Sequence, residues 1–186
     1  PYDGGNLLLS KEQKESLTSK NKGIMQFIKR IYGSTDYIND KERYCLWIRD
    51  NQLNEAIKIP EINDRIEKTR ESRKNGGDVA RGLVNRSHKF RYTYEAKKNI
   101  IILPRVSSSR REYIPIGFID KDSIVSDSAQ AIYDAEIYVL SLLLSKIHMT
   151  WVKITAGRLG IGYRYSSGLC YNTFPFPEIS AQRKEE

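Results

Sequence analysis

The spacing of apolar residues changes period partway along the chain, and that change constrains the fold more than any other feature. Up to Asn75-Gly76-Gly77 the signals are mainly helical, and from Phe90 to Val125 they are those of strands. A helical stretch returns near Asp134, and short extended pieces follow it. This order implies an α+β fold: N-terminal helices, a central mostly antiparallel sheet, and one long amphipathic C-terminal helix followed by short strands.

Ser10-Lys11-Glu12-Gln13 reads as a capping box that opens a helix to about Ser19. Ile24, Phe27, Ile28 and Ile31 recur at helical spacing and predict a second helix, stopped by Gly33. Arg43–Ile48 reads as a strand, and Pro60 fits the first position of a helix that carries Ile62, Ile66 and Thr69. Strands are predicted at Phe90–Tyr94, Ile100–Leu103, Tyr113–Ile119 and Ser123–Val125. The last helix has Ile137, Leu140, Leu144, Ile147 and Trp151 as its expected buried stripe and continues towards Ala156, before Gly157. Residues 1–179 read as one domain, with a charged, frayed tail over 180–186.

Among the 186 residues, 39% are hydrophobic and 29% charged, with a net charge of +8. Whole-chain disorder is excluded by the abundance of Leu, Ile, Val and aromatics. A membrane span is not predicted, because the longest uncharged apolar stretch, Ile137–Ser145, is far short of the ~20 residues required. Cys45 and Cys170 are far apart and have no Cys or His at metal-ligand spacing, which argues against a disulfide scaffold or a zinc site. The chain opens at Pro1 without a signal-peptide layout, and the expectation is a domain cut from a longer cytoplasmic protein.

The charge is unevenly spread. Arg65 to Arg91 holds nine basic residues against Glu67, Glu71 and Asp78. Lys146 to Arg164 holds Lys146, Lys153, Arg158 and Arg164 with no acid, whereas Glu112 to Glu136 holds six acids and only Lys121. Such alternation is the electrostatic footprint of a polyanion binder, or else that of solvated helix faces.

Catalytic apparatus is sparse. Gly157-Arg158-Leu159-Gly160-Ile161-Gly162 follows a helix and precedes a strand, the wrong order for holding a phosphate at a helix N-terminus. His148 lies between Ile147 and Met149 and reads as a packed histidine. Asp78 with Glu95-Ala96-Lys97 has the layout of a metal-dependent nuclease, which makes such a nuclease the alternative enzyme reading. A protein-interaction module, docking through the stripe of the long helix, is a third.

Two segments have the chemistry of a nucleic-acid surface. In the first, Arg105, Ser107, Ser108, Arg110 and Arg111 offer hydroxyls and guanidinium forks to phosphates and guanine edges. In the second, Lys153, Arg158, Tyr163, Arg164 and Tyr165 are interleaved with glycines that permit close backbone approach.

Several longer motifs occur in a recognisable order. They are Phe27-Ile28-Lys29-Arg30-Ile31-Tyr32-Gly33-Ser34, Asp36 through Trp47, Val106-Ser107-Ser108-Ser109-Arg110-Arg111-Glu112-Tyr113-Ile114-Pro115-Ile116-Gly117-Phe118, His148-Met149-Thr150-Trp151-Val152 with Gly157-Arg158-Leu159, and Tyr163-Arg164-Tyr165-Ser166 through Pro177. Together they resemble the C-terminal target recognition domain of large bacterial type IIG, MmeI-like restriction–modification proteins that methylate adenine in DNA. The resemblance covers about Gly4 to Glu178 and implies sequence-specific recognition of double-stranded DNA. It also implies a partner methyltransferase domain elsewhere in the same chain, which binds S-adenosylmethionine. The Pro-Pro dipeptide and Phe-x-Gly-x-Gly of that domain are missing here, so neither cofactor binding nor methyl transfer is expected of these residues, and no metal. Between about Arg70 and Asn99 the chain departs from the family pattern.

Overall fold

The computed structural model describes residues 2–178, 180 and 182; the tail expected over 180–186 otherwise lies outside the described residues. In chain order the elements are β1 (Leu8–Ser10), α1 (Lys11–Lys20), β2 (Ile28–Tyr32), α2 (Ser34–Ile38), β3 (Arg43–Leu46), α3 (Leu53–Ala56), α4 (Pro60–Lys74), α5 (Asp78–Arg81), β4 (Ile100–Pro104), β5 (Val106–Ser107), β6 (Gly117–Ile119), β7 (Ile124–Val125), β8 (Ala129–Tyr133), α6 (Ile137–Leu143), α7 (Lys146–Thr155), β9 (Gly157–Leu159) and β10 (Gly162–Arg164). This is an α+β fold with antiparallel ladders, as the change of period implies. The chain forms two compact units. One comprises Pro1–Ile31, Glu42–Glu95 and Asp122–Ile124, the other Tyr32–Lys41, Ala96–Lys121 and Val125–Glu186.

In the first unit the capping box forms as the sequence predicts. Gln13 N donates to Ser10 Oγ at 3.2 Å, and Ser10 N donates to Gln13 Oε1 at 3.0 Å. β3 pairs with β1 through Leu9↔Tyr44 and with β2 through Lys29↔Cys45, in a sheet ordered β1-β3-β2-β7. The helix expected over Ile24–Ile31 is not there. Lys22–Phe27 is a 3-10 turn that buries Ile24 and Phe27, and Ile28 enters β2 opposite Leu46. The i, i+3 spacing of Ile24 and Phe27 suits the turn equally well, and cross-strand pairing decides the rest.

α4 starts on Pro60 and buries Ile62, Ile66, Thr69 and Arg73, one stripe down the helix. Arg73 is fully buried among backbone carbonyls. Its guanidinium donates to Tyr2 O (2.7 Å), Leu83 O (2.9 Å), Arg86 O (2.8 Å) and Lys89 O (2.6 Å). Burial lowers its pKa, but a guanidinium keeps its proton in proteins, so the cost of desolvation is met by hydrogen bonds. Phe90–Tyr94, expected as a strand, joins no ladder.

In the second unit β4 is buried at all five positions and lies between β6 and β8, with Ile101 opposite both Phe118 and Ile132. β8 carries no strong apolar alternation, and no strand is predicted there. The strand expected over Tyr113–Ile119 shrinks to Gly117–Ile119, because Pro115 has no N–H for a ladder; Ile114 and Ile116 still reach the core.

The single long C-terminal helix is also corrected. Ser145 accepts a hydrogen bond from His148 N at 3.1 Å and caps a new helix, so α6 and α7 meet at a 60° bend. The bend changes which side faces inward. Leu143, His148, Met149 and Val152 are buried, whereas Ile137 and Ile147 of the expected stripe are 67% and 73% exposed. Among the described residues no single helix is long and apolar enough to cross a membrane, although the bent pair α6–α7 passes by length and composition together.

Candidate nucleic-acid interface

Both basic segments singled out from the sequence lie in the second unit, and one small sheet joins them. Its order is β5-β10-β9: Tyr163 pairs with Ser107 on one side and Arg158 on the other, while Arg164 lies between Val106 and Gly157. Beyond the ladder, Tyr165 N donates to Arg105 O at 2.8 Å. Segments separated by some fifty positions thus share one backbone frame.

Two glycines make the frame possible. Gly160, at φ +57°, turns the β9–β10 hairpin in a conformation that side chains disfavour. At Gly162 a Cβ would lie 2.8 Å from Ser107 O, closer than such atoms approach, so β10 can sit against β5 only with a bare backbone.

Alternation along the strands sorts the predicted contacts. Ser107, Tyr163 and Tyr165 point into the core, and Arg164 faces solvent. Arg105, Ser108, Arg110, Arg111, Lys153 and Arg158 are exposed as well. Arg158 lies over the Tyr163 ring, with its Cζ 4.3 Å from the centroid. Ser108 shapes the loop rather than standing free, since its hydroxyl accepts from Arg110 N at 3.2 Å and its carbonyl from Arg111 N at 3.2 Å. Among the described residues none of Arg105, Arg110, Arg111, Lys153, Arg158 and Arg164 forms an ion pair with a carboxylate.

Tyr165 is a core residue, only 2% exposed, which corrects its reading as a contact. Its hydroxyl bonds His148 Nε2 at 3.1 Å, and the His148 ring meets Phe174 edge-on at 4.7 Å. Burial lowers the His148 pKa to about 4 and raises that of Tyr165, so both groups are neutral at pH 7. His148 is a packed histidine under the sheet, not a base.

Sequence reasoning overlooks the parts that hold and flank this surface. Ser34, at the start of α2, accepts from Arg105 N at 3.1 Å and itself donates to Ser128 O. Leu159 and Ile161 stand exposed at the hairpin, where Leu-Gly-Ile-Gly offered a signal: apolar residues in a turn too short to bury them.

Each residue of the nuclease reading is engaged elsewhere. Asp78 is exposed on α5 and paired with Arg81. The Glu95 carboxylate is held by Arg49 Nη2 at 2.5 Å and by Trp47 Nε1 at 2.6 Å, and these neighbours bring its pKa down to about 2. Lys97 belongs to the other unit and donates its backbone N–H to Asp134. Among the described residues no group of three or more His, Cys, Asp and Glu side chains could hold a metal ion.

Comparison with known proteins gives the family. The model of the MmeI target recognition domain matches residues 1–178. DNA methyltransferase A of Bacillus subtilis (strain 168) is 43% identical over 187 residues, which cover 100% of this chain and 21% of that protein. The solved structure of the Type IIL restriction-modification enzyme MmeI in complex with DNA superposes with a TM-score of 0.92 at 32% identity. That match covers 100% of this chain and 25% of that one. The chain therefore spans a quarter or less of the relatives it matches. It belongs to the family of MmeI target recognition domains.

Proposed function

We propose that this chain reads a sequence in double-stranded DNA on behalf of a longer restriction–modification protein that methylates adenine. The observation that carries this reading is the β5-β10-β9 sheet, which sets exposed arginines from two distant segments on one frame, where among the described residues no carboxylate pairs with them. Arg105, Arg110, Arg111, Lys153, Arg158 and Arg164 supply phosphate contacts and base-edge contacts. Ser107, Tyr163 and Tyr165 hold the strands that present them. S-adenosylmethionine and the flipped adenine belong to a methyltransferase domain outside these residues, and base flipping by that domain calls for a separate module to keep the duplex in register. Ile137, Ile147 and Ile154, large apolar side chains left in solvent on α6 and α7, suit contact with the remainder of such a chain.

The test is selection from a pool of randomised duplexes by the full-length chain, followed by the same selection with Arg110→Ala and Arg164→Ala. A short enriched motif, losing preference at single base pairs in the variants, is the expected result. Retention that is indifferent to sequence and to both substitutions refutes the reading.

A further inference from the structure

The stretch Arg91–Tyr94, in the first unit, belongs to the strand expected over Phe90–Tyr94 and joins no ladder. It is nonetheless tied down at both ends, and to the same side chain. Before it, the Phe90 ring stacks on Trp47 with centroids 6.2 Å apart. After it, Glu95 accepts from Trp47 Nε1 at 2.6 Å and is locked by Arg49. Between these anchors Tyr92 and Tyr94 are 61% and 66% exposed, their rings nearly parallel at 14° and 6.3 Å apart. The Arg91 guanidinium sits 5.1 Å from the Tyr92 ring centre.

Two large rings and a guanidinium held on a short anchored bridge form a contact surface rather than a frayed loop. Tyrosine and arginine are enriched where proteins bind partners, since they offer much area for few torsions. Anchoring lowers the entropy lost when a partner arrives.

We propose that Arg91, Tyr92 and Tyr94 form a second DNA contact, one that grips the sugar–phosphate backbone of the duplex without reading bases. The proposal rests on the DNA reading above. A paired duplex shows deoxyribose and phosphate along its flank, while base faces stay stacked inside. Ring faces cover the sugar, and phenolic hydroxyls and the guanidinium reach phosphate oxygens. The contacts predicted around the β5-β10-β9 sheet do not include these residues.

The experiment is a duplex titration of the full-length chain, at several salt concentrations, with the selected duplex and a scrambled one. The variants are Tyr92→Ala/Tyr94→Ala, Arg91→Ala and, as a reference on the other unit, Arg164→Ala. All are solvent-facing changes, and thermal melts check that each variant folds. The double tyrosine variant should bind both duplexes about tenfold more weakly with the same preference between them. Arg91→Ala should reduce the salt slope by about one. Binding within twofold of the parent, while Arg164→Ala is impaired, overturns this contact and leaves the DNA reading intact. Lost preference between the duplexes overturns the backbone assignment in favour of base contact. A parent chain that binds neither duplex overturns both readings.

Discussion

Helix α4 with its following loops as far as Lys89, and the β5-β10-β9 sheet, are both rich in basic residues, yet they use them in opposite ways. Along the first, Lys68 pairs with Asp64, Arg70 with Glu67, Lys74 with Glu71 and Lys89 with Asp50. Arg65 donates to Asn6 O, and Arg73 is enclosed by four carbonyls. Along the second, Arg158 and Arg164 face solvent and, among the described residues, pair with no acid. The lesson is that charge density in a sequence does not locate a polyanion surface. What matters is whether a carboxylate one helical turn away, or a carbonyl in the core, has already satisfied the cation.

The largest expected effect comes from the enclosed cation. Arg73→Met should leave four carbonyls without a donor and cost about 3–5 kcal/mol of unfolding free energy, read by urea denaturation. A loss below about 1 kcal/mol would mean that the carbonyls find other donors and that α4 is not held this way. Next come the solvent-facing cations. Arg164→Ala should weaken duplex binding by about 1–3 kcal/mol if it reads a base, with unfolding unchanged. Equal effects of Lys68→Ala and Arg164→Ala on affinity would dissolve the contrast between the two regions.

Acid tests the packed histidine of the second unit. His148 is neutral when folded, with a pKa near 4 against about 6.5 when unfolded. Its contribution to stability is complete above about pH 6.5 and disappears as the pH falls through about 4, because the unfolded chain takes up the proton first. His148→Gln should therefore flatten the pH dependence of melting between those values, and an unchanged slope would contradict the neutral, buried state. Tyr165→Phe, which removes the hydroxyl bound to His148, should cost about 1–2 kcal/mol on unfolding. Smallest of all, Lys74→Ala on α4 should change stability by less than about 0.5 kcal/mol, as an exposed i, i+3 pair does.

Local signals were legible where one short-range interaction decides the structure. The capping box at Ser10, the proline that opens α4 and the continuous apolar run of β4 all appear where the sequence puts them. Pairing between distant strands was not legible. Ile28 belongs to a strand because Leu46 is opposite it, and β8 exists because β4 supplies a partner. The break between α6 and α7 was signalled by Ser145, but an unbroken apolar period hid it. At the candidate interface the arginines were found by charge and spacing. Their union in one sheet was not, because it depends on the backbone approach of β10 to β5 at Gly162.

The enclosure of Arg73 has a practical consequence for all measurements on this molecule. Its partners are neutral carbonyls, so dissolved ions have no opposite charge to displace there. The solvent-facing arginines are instead open to competition from every anion in the buffer. Ionic strength should accordingly act on the surface and spare the interior, so a salt series would report the number of phosphates engaged without melting the protein that engages them.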